Sequence, residues 1–145
     1  MDDELREMRD QRASLRTAMG QVESSISRPA PGRVEAWSTE LREQLEVLSA
    51  ALEVHVDATE APGMMLDDIV AARPDMADRV DAARQDHKLL RYELHAVLTA
   101  LPTDEAGVGD IRVQVVSLLS RLARHRQAGA DMMFEAYRID VESED

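Results

Sequence analysis

The chain has no cysteine. Disulfides, thiolate metal sites, iron–sulfur clusters and cysteine nucleophiles are thereby excluded, and any metal must be held by His, Asp, Glu or Tyr. Aromatic residues are scarce, at 3%, while Leu, Ala, Val and Met are common, a balance that favours helices over sheets. Basic charge is also short. Against 29 Asp and Glu there are 17 Lys and Arg, and the net charge of -12 makes nucleic acid and anionic membranes poor partners while suiting cations. Long apolar runs are missing too. The start, MDDELREMRDQR, has no signal-peptide core and no later run spans a bilayer, so a soluble, cytoplasmic chain without a membrane partner is expected.

What the 145 residues do contain is four amphipathic stripes within a single domain, 1–145. The first runs Leu5, Met8, Leu15, Met19, Val22, Ile26, with Gln11 inside it, and must end before Pro29-Ala30-Pro31-Gly32. The second is Val34, Trp37, Leu41, Leu45, Leu48, Leu52, then His55 and Thr59, closed by Pro62-Gly63. A short amphipathic helix is expected over about 64–72, and Pro74 opens the third long helix. Its stripe is Val80, Ala83, His87, Leu90, Leu94, Val97, Leu101. Asp110 is the expected N-cap of the fourth, whose stripe is Ile111, Val115, Leu118, Leu122, His125, Gly129, Met132; the tail from 138 to 145 is expected to fray. Four such helices on mostly short loops predict an all-α, up-down-up-down four-helix bundle, with a homodimer through exposed apolar residues as one assembly it allows.

Three histidines therefore occupy stripe positions on three helices, with Gln11 at the matching position on the fourth. Counting from the turns, His87 and His125 fall at nearly equal heights, within ~5 Å at 1.5 Å rise per residue, and Gln11 pairs with His55 with slightly more slack. The spacing permits all four to converge at the end carrying the 61–74 connection. His95, by contrast, is rotated about 80° off the stripe at 100° per residue and reads as a surface residue.

In order and spacing the chain resembles the hemerythrin-like (HHE cation-binding) domain family, on "RDQRASL", "HVDATE", "RQDHKLL" and "RHRQAGADMMFEAY". The resemblance covers nearly the whole chain. It implies a four-helix bundle holding non-haem iron between its helices, and oxygen, redox or iron handling as function. The departures from the family pattern are specific. Gln11 stands where the first histidine would be, Thr59 and Glu60 share the second-helix carboxylate position, and Gly129 and Ala130 leave the fourth helix without one. Two ferrous ions need bridging carboxylates in a low-dielectric core, so one ion is expected rather than two, on His55, His87, His125 and Glu60. Asp131 and Glu135 could substitute only if the local helix geometry shifted.

Two other readings stand beside a divalent-metal protein of this kind. One is a metal-free, degenerate bundle, with Gln11, Thr59 and the histidines satisfying one another, that binds a protein or small ligand at the same end. The other is a non-haem iron oxygenase or oxidase, which requires open coordination positions and a substrate cavity. Tyr92 beside the His87 level, the arginines 121, 124 and 126 around His125, and Met64, Met65, Met132 and Met133 have functional readings. Their ordinary readings are rim packing, a solvated ion-paired face and gap-filling.

Overall fold

The computed structural model describes residues 2–144, and the side chains of residues 3 and 6–137. Five α-helices follow one another: α1 Asp2–Ile26, α2 Val34–Glu60, α3 Met65–Ala72, α4 Ala77–Thr99 and α5 Val108–Glu144. Short 3-10 turns, Pro74–Met76 and Glu105–Gly107, lead into α4 and α5. No strand occurs among the described residues, and no helix there is long and apolar enough to cross a membrane. The four long helices form a bundle in which α1 packs against α2 and α5, and α4 against α2 and α5.

Most positions of the stripes read from the sequence are buried, with Met8, Met19, Leu101 and Gly129 among the half-buried ones and Leu5 outside the described side chains. Leu15 and Val22 of α1, Leu41, Leu45, Leu48 and Leu52 of α2, Leu90 and Leu94 of α4, and Val115, Leu118 and Leu122 of α5 interlock in one apolar cluster. Fully burying a side chain of this size stabilises the fold by roughly 1.5–3 kcal/mol. A second, smaller cluster joins Leu66 and Ile69 of α3 to Met76, Val80, Ala83, Met132 and Ala136. The histidine level falls in the gap between the two.

Helix ends are tied by loop chemistry. Arg112 donates to the carbonyls of Ile26 and Arg28 at 3.0 and 2.8 Å, covering acceptors that α1 leaves exposed at its end. Gly63, with φ of 78°, makes the sharp turn out of α2, and its N–H donates to Asp67 Oδ2 at 2.9 Å. One expectation at a helix end needs correction. Asp110 is not an N-cap: the Glu105–Gly107 turn starts the helical path earlier and places Asp110 in the first turn of α5, where its charge still complements the helix dipole. Helix α5 extends through Glu144, with the side chains from 138 on outside the described residues.

Candidate metal centre

Each histidine reaches the centre because its helix presents a core position at one common height. His87 and His125 are 1% and 4% exposed, and His55 is half-buried. His125 Nε2 lies 2.9 Å from His87 Nε2 and 3.2 Å from His55 Nε2, and one ligand atom from each ring lies within 4.8 Å of the others. The rings are mutually edge-on, with centroids 4.6–5.3 Å apart.

The outer ring nitrogens each face a polar group. His125 Nδ1 meets Asp86 Oδ2 at 3.2 Å, His55 Nδ1 meets Gln11 Nε2 at 3.0 Å, and His87 Nδ1 lies 3.4 Å from Glu60 Oε2 without an aligned hydrogen bond. Glu60 thus stands behind His87 rather than beside the inner nitrogens, with Arg84 Nη1 3.9 Å from its other oxygen. Thr59 is buried and donates to the His55 carbonyl, so it does not reach the centre.

No set of neutral tautomers satisfies this arrangement. With Asp86 accepting from His125 Nδ1–H, His125 Nε2 is a bare acceptor. If His87 donates to it from Nε2, the bare Nδ1 of His87 faces the Glu60 carboxylate. If His87 instead carries its proton on Nδ1, two bare Nε2 atoms oppose each other at 2.9 Å. A cation at the centre, either an extra shared proton or a metal ion, removes the conflict.

Protonation is disfavoured at two of the rings. Burial first, then the proximity of His125 and His87, pushes His55 down to about 3; burial and His125 push His87 down to about 4. Both are neutral at physiological pH, the state in which imidazole ligates metal.

Below the rings lies a cavity of about 350 Å³. Its walls are mostly apolar, from Met8 and Leu15 of α1, Leu66 of α3, Ala83 of α4 and Met132 of α5; the small Gly129 and Ala130 leave the space open on the fourth long helix. Arg12 and Arg126 also line it. Arg126 is held below the usual arginine range by desolvation and by the nearby charges of Arg16 and Arg12.

Other candidates lie away from the centre. Tyr92 is 73% exposed and His95 is at the surface. Arg121 pairs with Glu93 at 3.2 Å. Asp131 accepts from Gln127 at 2.9 Å and Glu135 pairs with Arg79 at 2.6 Å, both on the exposed side of α5. Asp86 and Arg12, by contrast, are not singled out by the sequence reading, while Arg126 enters it only as one of the arginines around His125. Each adjoins a stripe position in sequence, and that adjacency was the available signal. Comparison with protein-family models, with curated proteins and with solved structures finds no match for this chain.

Proposed function

We propose that this is a metal-binding protein of hemerythrin-like, up-down-up-down design holding one divalent ion, iron or another, on the Nε2 atoms of His55, His87 and His125. The observation that carries the reading is the spacing of the inner nitrogens. Two nitrogen ligands at ~2.1 Å from one ion stand ~3.0 Å apart at a right angle and ~3.4 Å apart at a tetrahedral one, close to the 2.9 and 3.2 Å from His125 Nε2 to the other two rings, and one ligand atom from each ring lies within 4.8 Å of the others.

The donor set also fits the chemistry of an ion. Asp86 sits where it can accept from the outer N–H of His125, and the Glu60 carboxylate, 3.4 Å from His87 Nδ1 without an aligned hydrogen bond, favours a proton there by its charge, which leaves the inner lone pairs free. Gln11 can do the same for His55 with its amide turned so that oxygen faces Nδ1, an exchange of two nearly isosteric ends. Glu60 is therefore assigned an orienting role in place of direct ligation. No carboxylate bridges a second position, which favours one ion. Such an ion would supply Lewis-acid or redox chemistry beside the cavity.

The cavity favours a second reading, an oxygenase or oxidase, because that class needs space for a substrate next to the ion. Elemental analysis of untagged protein, as purified and after loading with Fe(II) or Zn(II), tests the metal reading. One ion per chain is expected. No retained metal under loading would overturn it, and two ions would overturn the mononuclear assignment.

A further inference from the structure

We propose that the cavity beside the histidines binds a small molecule with one carboxylate and an apolar body, its carboxylate set between the centre and the guanidinium groups of Arg12 and Arg126. The inference deepens the metal reading and rests on it for one of the ligand's two anchors.

The charge pattern is the first observation. The chain is strongly acidic, and arginines 28, 33, 73, 79, 84, 91 and 121 all stand against carboxylates. Arg12 and Arg126, like Arg6, Arg9, Arg16, Arg42 and Arg124, have no carboxylate partner among the described residues, and these two line the cavity. Among the described residues, Arg12 has a hydrogen bond only to the Met133 sulfur, at 3.0 Å, and Arg126 has no acidic partner. Both line the cavity that the histidines also line, and Arg16 adds its charge nearby. Unpaired guanidinium groups gathered at a cavity in a protein with excess carboxylate call for an anion from outside.

The metal reading sharpens this. Three neutral imidazoles bring no negative charge to a divalent ion, and the two carboxylates behind them are matched in number by Arg12 and Arg126. An exogenous anion next to the ion offsets the remaining positive charge, which is costly in a low-dielectric site. The walls then choose the kind of anion. Gln11, Thr59 and Gln127 add polar groups to the lining, but Met8, Leu15, Leu66 and Met132 give it a larger apolar share, which suits a hydrocarbon body better than a fully hydrated ion such as phosphate. A volume of about 350 Å³ limits that body to a compact one.

Calorimetric titration of the full-length chain, metal-free and Zn(II)-loaded, with hexanoate, 1-hexanol and inorganic phosphate tests the proposal. Hexanoate is expected to bind the zinc form one to one, at least tenfold more tightly than 1-hexanol or phosphate. In the Arg12→Gln/Arg126→Gln double variant the hexanoate preference should disappear while 1-hexanol binding and zinc content persist, which also shows that the pocket is still folded. Equal affinity for hexanoate and 1-hexanol in the wild type overturns the proposal, as does phosphate binding as tightly as hexanoate. Zinc uptake without hexanoate binding leaves the metal reading standing and overturns this one. Arginine-dependent hexanoate binding to a protein that takes up no metal does the reverse.

Discussion

Asp86 Oδ2 faces His125 Nδ1 at 3.2 Å across the α4–α5 contact, so the residue before one histidine orients another histidine on the neighbouring helix. A carboxylate there fixes the His125 tautomer and increases the basicity of its inner nitrogen. Asp86→Asn is expected to weaken metal affinity by about 10–100-fold, measured by competition with a chromogenic chelator. Asp131→Asn, at an exposed carboxylate held by Gln127, should leave it unchanged. Equal affinities in the two variants would remove the orienting role.

His125 touches both other imidazoles, which makes it the sharpest test of a shared ion. Metal that binds only the folded chain raises stability by roughly 2.7 kcal/mol when free metal is a hundred times its dissociation constant. Thermal melts with chelator and with excess Zn(II) should show that gain in the wild type and its loss in His125→Leu. Without metal, the variant is expected to match or exceed the wild type, because an apolar side chain of similar size replaces a buried polar group with conflicting contacts. A metal-dependent shift of unchanged size in the variant would show that His125 is not a ligand.

Acid should destabilise the metal-free protein through His55 and His87. Their pKa values are lowered from 6.5 to about 3 and about 4, so between those values and 6.5 the unfolded chain binds more protons than the folded one. Stability from these groups is present in full above pH 6.5 and is lost as pH falls through the folded values, with a slope of up to about 1.4 kcal/mol per pH unit for each group. Denaturant melts from pH 7.5 to 4.5 on wild type and a His55→Leu/His87→Leu variant should show a shallower pH dependence in the variant. Parallel curves would assign the acid sensitivity elsewhere.

Much of this site was legible in the sequence because core positions of a helix recur at three- and four-residue steps. That periodicity put Gln11, His55, His87 and His125 on core faces, counting from the turns allowed them one level, and the structure brings those four together. Glu60 shows the limit of counting. Five residues beyond His55 it is turned about 140° around α2, at 100° per residue, and meets α4 rather than the centre. The cavity was not legible at all. It depends on α3 placing Leu66 in its wall and on the small residues 129 and 130 lining it, neither of which a stripe on a single helix records.

The break in the core at the histidine level has a further consequence, for how the molecule opens. Leu66, Ile69, Met76 and Met132 are joined to one another but belong to a cluster separate from the main one, across a polar layer and a void. Dispersion contacts do not cross an empty space, so the α3 end can loosen as a cooperative unit without dissolving the rest of the bundle. Backbone amides of α3 should exchange with deuterium well before those around Leu45 and Leu118, and metal loading should slow them most. Solvent and small molecules would then reach the interior by transient release of this end, so the rate of entry would be set by the stability of one eight-residue helix.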